Sequence, residues 1–261
     1  MEAEDMVQET FLRWCNAADT EVESPKSYLT AIVTRLCIDH LRLARVKREE
    51  SIGSWLPEPL FSDPAQDVNG TIELNESLSL AFLFLMESLT PTERAVFLLR
   101  EVFAYGYAEI ADLLGRSEAN CRQIFHRAKT ALDGGNRRAP VSPEQQKRLF
   151  TQFLQASMDG DLQGLVSMLA DDIVMYSDGG FARHPIYGAK NVASFMLGLR
   201  RKAPNSLEVV VSETNAQPAL FIYTEGRLYG VMALNYGAGR ITEVYFQLMR
   251  EKLTTIPQYR R

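Results

Sequence analysis

A short helix, a glycine stop and a capped second helix in the middle of the chain constrain the fold more than any other feature. Residues 107–114 place apolar side chains on one helical face, Gly115 ends this helix, and Ser117 caps a second helix over 118–132. The residues expected to be buried are Ile110, Leu113, Leu114, Ala119, Ile124, Ala128 and Leu132. Two short helices joined by so tight a turn are typical of a helix-turn-helix, although an ordinary α-helical hairpin uses the same elements.

The second of these helices has a polar and basic outer face. Residues 116–138 contain six basic and two acidic residues, although the whole chain has a net charge of −5. Arginine reads guanine with two hydrogen bonds, amide side chains read adenine, and basic side chains bind phosphates. The expected contact residues are Arg116, Asn120, Arg122, Gln123, His126, Arg127 and Lys129. We therefore predict a DNA-binding face, with Arg116 and Lys129 on phosphates.

The chain ahead of this motif has the pattern of two helices followed by a linker. Apolar residues recur at three- and four-residue spacings over 2–50, and basic residues accumulate at 35–48. Residues 51–71 have a linker composition, yet the string 55–60 (Trp-Leu-Pro-Glu-Pro-Leu) is apolar. Because a solvated tether is normally polar, we expect this string to dock on another surface. The alternative is that Trp55 packs on its own helical neighbours.

The carboxy-terminal half has a different pattern. Helices are predicted over 143–157, 161–169 and 189–202, and strands over 173–176, 207–214, 219–223, 227–235 and 241–249. Helices followed by a meander of strands indicate an α+β domain, separate from the all-helical first half. The predicted division of the chain is 1–50, a linker at 51–71, 72–135 and 142–255.

Several classes of protein are excluded by the sequence. The longest apolar runs, such as 78–86, are too short for a membrane-spanning helix. The acidic start lacks the basic character of a secretory or mitochondrial signal, so we expect a cytoplasmic protein. Cys15, Cys37 and Cys121 are odd in number and far apart, which supports neither a disulfide framework nor a zinc site. We expect each cysteine in a core, and no metal or cofactor.

Two blocks of sequence resemble the sigma-70 family of RNA polymerase sigma factors. Residues 90–101 (Thr-Pro-Thr-Glu-Arg-Ala-Val-Phe-Leu-Leu-Arg-Glu) and 106–111 (Gly-Tyr-Ala-Glu-Ile-Ala) resemble region 4. Residues 4–14 and 28–39 resemble region 2 of the extracytoplasmic-function group. The resemblance implies core RNA polymerase and promoter DNA as partners, with region 4 on the −35 element and region 2 on the −10 element.

The same resemblance implies roles for region 2. The residues expected to bind the −10 strand are Arg35, Arg42 and Arg45. The residues expected to bind the polymerase clamp are Asp5, Gln8, Glu9 and Trp14. A loop at about 18–27 would capture an unstacked base. Family members usually carry another helix before this block, so region 2 is expected to be incomplete, with too few packing partners for Met6, Phe11, Ile32 and Leu36.

The carboxy-terminal half resembles a SnoaL-like domain, the cone-shaped α+β fold of ketosteroid isomerases, and the whole chain resembles sigma factors fused to such a domain. The linker carries that group's Trp-Leu-Pro-Glu-Pro motif, whereas its Asp-Gly-Gly-Gly-Lys and Asn-Pro-Asp-Lys-Leu motifs are only partly kept, with departures at 181–182 and 249–251. The resemblance implies that the fused domain regulates the sigma regions through the linker. The residues expected in this role are Trp55, Leu56, Pro57, Glu58, Pro59, Asp178, Gly179, Gly180, Lys252 and Leu253.

Two other functions stay open from the sequence. One is a SnoaL-like enzyme of the isomerase or hydrolase type, whose helical half serves DNA targeting or dimerisation. Its acid, base and phenol would come from Asp172, Tyr176, Asp178, His184 and Tyr187. The other is a simple helix-turn-helix regulator that binds DNA without polymerase. An unknown small molecule in the SnoaL-like pocket, acting as a signal, is a further partner that such a fold allows.

Overall fold

The computed structural model describes residues 2–16, 24–49, 56–59, 80–135, 139, 141–180, 182, 184–215 and 217–254. The chain divides into two compact units. One comprises Met1–Ser51 and Leu85–Asn136, and the other comprises Ile52–Phe84 and Arg137–Arg261. The linker segment 56–59 therefore belongs to the same unit as the carboxy-terminal half of the chain. None of the described helices is long and apolar enough to cross a bilayer.

The first unit is helical over its described residues. Its first two helices are α1 (Glu2–Asn16) and α2 (Pro25–Glu49), and α3 (Leu80–Ser88) leads the chain back into this unit. The elements that follow are α4 (Pro91–Phe97), a π-helical turn (Leu98–Val102), α5 (Tyr107–Leu114) and α6 (Glu118–Gly135). Helix α4 starts with a capping box, because Glu93 donates its backbone N–H to the Thr90 hydroxyl and its carboxylate accepts from the Thr90 backbone. This local signal fixes the start of the block that resembles region 4.

The core of this unit lies where α5 and α6 meet. Ile110 and Leu113 of α5 pack with Cys121 and Ile124 of α6, and Ala31 of α2 packs against the same cluster. Ala128 and Leu132 are also buried, while Leu114 is half-buried. These residues confirm most of the predicted helix-turn-helix core.

The burial predicted for Ala119 is wrong, because this residue is exposed. Successive residues of an α-helix are about 100° apart, so Ala119 lies roughly 200° from the buried Cys121, on the opposite face of α6. Cys121, Ile124, Ala128 and Leu132 form the true buried stripe. The expectation for the cysteines holds for Cys121 but not for Cys15, which is exposed, and Cys37 is half-buried.

The second unit has an α+β fold, as expected from the SnoaL-like resemblance. Its elements are α7 (Pro143–Asp159), α8 (Leu162–Met168), β1 (Leu169–Ser177), β2 (Ile186–Tyr187), α9 (Ala189–Lys202), β3 (Leu207–Thr214), β4 (Gln217–Thr224), β5 (Arg227–Gly237), β6 (Arg240–Gln247) and a 3₁₀ turn (Arg250–Leu253). The strands form one sheet in the order β2-β1-β6-β5-β4-β3, in which only β1 and β6 pair in parallel among the described strands. Each hairpin turn has two successive residues at positive φ, Glu225 and Gly226 after β4 and Ala238 and Gly239 after β5. This backbone conformation suits tight turns between twisted strands.

A buried apolar cluster lies on each face of this sheet. Side chains alternate between faces along a strand, so Leu220 and Ile222 of β4 join one cluster while Phe221 and Tyr223 join the other. The first cluster includes buried residues of α7, α8 and α9. The second cluster includes Leu56, from the linker. The linker segment is thus part of the cover over the second face.

Candidate nucleic-acid interface and linker-binding site

The outer face of α6 presents the side chains that the sequence assigned to DNA. Gly115 adopts a left-handed conformation with φ of 62° at the end of α5, which sets the tight turn into α6. Of the predicted contact residues, Asn120 is half-buried. The exposed ones are Arg116, Arg122, Gln123, His126, Arg127 and Lys129. The helix therefore displays a continuous polar and basic surface of the kind that fits a DNA groove.

Acidic residues hold some of these cations before any DNA arrives. Arg122 donates to the carboxylate of Glu118, one turn earlier in α6. The Nε of Arg127 lies 3.8 Å from Glu93, and the Nζ of Lys129 lies 3.9 Å from Glu101. Surface pairs with an exposed cation contribute about 0–1 kcal/mol each, so the carboxylates hold these side chains weakly.

Helix α1 presents the residues assigned to the polymerase clamp. Asp5 and Gln8 are exposed, and Glu9 accepts a hydrogen bond of 2.8 Å from Arg13. The ring of Trp14 is half-buried against Tyr28 of α2, with centroids 5.6 Å apart. The same helix exposes three large apolar side chains, Val7, Phe11 and Leu12. Met6 of α1 is half-buried, as are Ile32 and Leu36 of α2.

Helix α2 presents part of the set assigned to the −10 strand. Arg35 and Arg42 are exposed, and Arg42 lies 3.2 Å from Asp39. The side chain of Arg45 and most of the predicted base-capture loop at 18–27 lie outside the described residues. Near the start of α2, the Thr30 hydroxyl lies 3.2 Å from the hydroxyl of Tyr105, which precedes α5. The two sets of predicted DNA contacts therefore sit on one packed unit.

The linker residues 56–59 are seated in the second unit. Leu56 has no exposed surface and joins the cluster that contains Phe221 and Tyr245. Pro57 and Pro59 are also buried, and only Glu58 of these four residues points outward. A leucine buried this fully contributes about 1.5–3 kcal/mol relative to an exposed one. The described part of the apolar string, 56–59, is therefore docked, whereas Trp55 and Leu60 lie outside the described residues.

A buried polar network fixes the backbone of this segment. The Nζ of Lys252 donates to the carbonyl of Leu56 at 2.6 Å and lies 3.2 Å from the Asp178 carboxylate. Gln247 donates its side-chain N–H to the carbonyl of Pro57, also at 2.6 Å. The side chains of Lys252 and Asp178 are 8% and 0% exposed. Two adjacent linker carbonyls that would otherwise be buried without partners are thus satisfied by side chains of the α+β fold.

Asp178 also shapes the loop that holds Lys252. Its other carboxylate oxygen accepts from the backbone N–H of Leu248 at 2.7 Å and from that of Met249 at 3.2 Å. These bonds tie the end of β1 to the residues that follow β6. One buried carboxylate thereby links two partly kept sequence motifs, at 178–180 and 252–253, to each other and, through Lys252, to the linker.

Three comparisons with known proteins place the chain in a family. Residues 1–46 match the model of sigma-70 region 2, and residues 79–132 match that of sigma-70 region 4. The probable ECF RNA polymerase sigma factor SigI of Mycobacterium tuberculosis is 32% identical over 247 residues, which cover 93% of this chain and 83% of that protein. The chain belongs to the ECF RNA polymerase sigma factors.

Two further similarities extend over the fused domain. The ECF RNA polymerase sigma factor SigJ of Mycobacterium tuberculosis is 35% identical to this sigma factor over 255 residues, which cover 93% of this chain and 79% of SigJ. The crystal structure of SigJ superimposes with a TM-score of 0.73 at 27% identity, over 98% of this chain and 91% of that one. The sigma regions and the α+β domain are therefore similar to those of one relative.

The structure brings together most of the residues that the sequence assigned to regulation in this sigma factor. Leu56, Asp178 and Lys252 meet in the buried network, and Leu253 joins the apolar cluster around Leu56. At the motif departure over 181–182, Ala182 is buried and Phe181 lies outside the described residues. Gln247 was missed by the sequence reasoning. Its signal was a lone amide in the apolar run 244–249, where a polar side chain needs a buried partner.

The residues named for the enzymatic alternative are mostly exposed or engaged in other contacts. Asp172, His184 and Tyr187 are exposed, and Asp178 is engaged with Lys252. Tyr176 packs on Tyr245 in the cluster that contains Leu56, and burial raises the pKa of the Tyr176 hydroxyl above its ordinary value.

Gly180 allows a test of the loop that carries Asp178. Gly180 and Gly226 have φ of 70° and 73°, so alanine is strained at both positions. A Cβ at Gly180 would lie 2.6 Å from the side chain of Leu248, whereas nothing lies within 4 Å of one at Gly226. We expect Gly180→Ala to lower the free energy of unfolding by about 1 kcal/mol more than Gly226→Ala, because Leu248 must leave its rotamer. Urea denaturation of both variants checks this, and equal losses would contradict it.

Proposed function

We propose that this chain is a promoter-selecting subunit of RNA polymerase whose activity is set by the hold of its α+β domain on the linker. Region 4 would read the −35 element through α6, and region 2 would bind the −10 strand and the polymerase clamp. The chain itself would make no phosphodiester bond. Because its partner polymerase works in the bacterial cytoplasm, we place the protein there.

The observation that carries the regulatory part of the proposal is the docked linker segment. Residues 49 and 56 are seven positions apart in the sequence, so an anchored Leu56 keeps the end of α2 within roughly 25 Å of the anchor. Without the anchor, the stretch from 49 to 80 reaches up to roughly 100 Å. Once α2 separates from α5 on binding to polymerase, the anchor would thus restrict the distances at which the −10 and −35 readers can bind together.

Run-off transcription with purified core polymerase tests the sigma activity. The template would carry the promoter region upstream of the protein's own gene, and the full chain would be compared with one that ends at Gly135. We expect transcripts from a defined start only when the chain is added, with an amount that changes on truncation. Equal, specific DNA binding with and without core polymerase, and no transcript, would favour a simple regulator instead.

Arg127 tests the assignment of the −35 reader. We expect Arg127→Ala to weaken promoter binding by the holoenzyme by about 1–3 kcal/mol and to relax the base preference at one −35 position, because an arginine that reads a base supplies both effects. Filter binding or fluorescence anisotropy on promoter variants measures this. Lys147→Ala, an exposed basic residue of the α+β domain, is the matched control. An unchanged base preference would retire the assignment.

A further inference from the structure

Two guanidinium groups lie over the ring of Tyr107. The Cζ atoms of Arg100 and Arg122 each lie 4.8 Å from its centroid. Tyr107 is the first residue of α5, and its half-buried ring packs edge-on against Phe125 of α6, with centroids 6.0 Å apart. Arg100 also donates to the carbonyl of Tyr105 at 2.9 Å, which pins the chain just before the ring. The ring is therefore a fixed platform at the junction of the two helices.

Arg122 is the member of this arrangement that faces outward. Its side chain is 60% exposed. Arg122 is the fifth residue of α6, in the half of a recognition helix that normally contacts the bases. An exposed arginine normally samples many rotamers and loses that freedom when it binds. Here the guanidinium lies over the ring of Tyr107, and Glu118 accepts from one of its nitrogens.

The stacked arrangement leaves donors for DNA. A guanidinium has five N–H groups, and stacking on a ring face uses none of them. One edge can therefore donate to the O6 and N7 atoms of a guanine while the plane stays on the ring. Arg127, the other arginine predicted to read a base, is held less closely, since its Nε lies 3.8 Å from the Glu93 carboxylate.

We propose that Tyr107, with Glu118, is a positioning residue that holds Arg122 for guanine recognition at one position of the −35 element. The inference rests on the proposed function of region 4 and names a specificity determinant within it. Tyr107 acts through Arg122 and touches no base itself. Exposed cation–π contacts correspond to a factor of about two to five in an equilibrium, and the preference for guanine should depend on Tyr107 by that factor.

Selection from a random −35 library tests this inference. Core polymerase with the full chain would select promoters, and sequencing would give the base preference at each position. We expect Arg122→Ala to remove the preference for guanine at one position. Tyr107→Leu and Glu118→Gln should each lower the preference at that same position about two- to fivefold and leave the others unchanged. Tyr107→Phe should keep it, because the ring remains, and Tyr107→Leu should add nothing to Arg122→Ala.

The outcomes separate positioning from a structural role. If Tyr107→Leu weakens binding evenly at all positions, or changes a position other than the one lost in Arg122→Ala, the inference is wrong. Glu118→Gln keeps the test valid if Tyr107→Leu fails to fold, because Glu118 is exposed. A wild-type chain that selects no −35 sequence would overturn the proposed function itself, and this inference with it.

Discussion

Replacing Lys252 by methionine is expected to destabilise the α+β domain by about 3–5 kcal/mol, because it leaves a buried carboxylate without its cation. The Asp178 side chain has no exposed surface, and the bonds it accepts from Leu248 and Met249 do not neutralise its charge. The carbonyl of Leu56 loses its partner in the same variant. Hydrogen exchange of the β4–β6 amides in the full chain measures the loss as a fall in the free energy of opening.

Two matched variants identify the cause of this loss. Lys190→Met removes an exposed lysine at the start of α9 and should change the opening free energy very little. The double variant Asp178→Asn with Lys252→Met leaves no buried charge, so it should be more stable than Lys252→Met alone. The single variant Asp178→Asn completes the comparison. If the loss in the double variant equals the sum of the losses in Asp178→Asn and Lys252→Met, the ion pair is not the source of the effect.

Replacing Leu56 by alanine is expected to release the linker from the α+β domain. Truncation of a fully buried leucine costs about 2–5 kcal/mol, and here only four described linker residues share the docking. Because 1.4 kcal/mol corresponds to a tenfold change in an equilibrium constant, the population of the released linker should rise about thirtyfold or more. Limited chymotrypsin digestion, monitored as cleavage after Trp55 in both proteins, measures this as faster cleavage.

Leu162→Ala is the control for this prediction. Leu162 begins α8 and is exposed, so its truncation leaves no cavity near the linker. Chymotrypsin should therefore cleave the Leu162→Ala variant at the wild-type rate. If Leu56→Ala also cleaves at that rate, the segment 56–59 is not held by the burial of Leu56, and the Lys252 and Gln247 bonds alone would have to account for the docking.

The helix-turn-helix was predictable from sequence because its signals are local. Gly115 stops one helix, Ser117 precedes the next, and the buried stripe follows the helical period. The error at Ala119 came from a choice of helix face that neglected Cys121, a small residue that is easily overlooked as a core position. The basic outer face needed no tertiary information, and every predicted contact there except the half-buried Asn120 is exposed.

The linker site could be predicted only in part. Its apolar composition indicated docking, and the motif resemblance named Asp178 and Lys252, but the partners are about 120–200 residues apart in sequence. No periodicity identifies which carbonyl Lys252 or Gln247 binds. One unused signal was the continuous apolar run 219–223 in β4, where Leu220 and Phe221 face opposite sides of the sheet. Such a run indicates a strand buried on both faces, and hence a second cover that the linker helps to supply.

The dependence of transcription on promoter spacing tests the central claim most directly. Run-off transcription would use templates whose −10 and −35 elements are separated by spacers that differ in steps of one base pair, with wild type, Lys252→Met and Lys190→Met. The account predicts a sharp optimum for wild type and Lys190→Met, and a broader profile for Lys252→Met, since the freed linker reaches more distances. The same sharp profile in all three proteins would contradict the claim that the docked linker sets the distance between the two promoter readers.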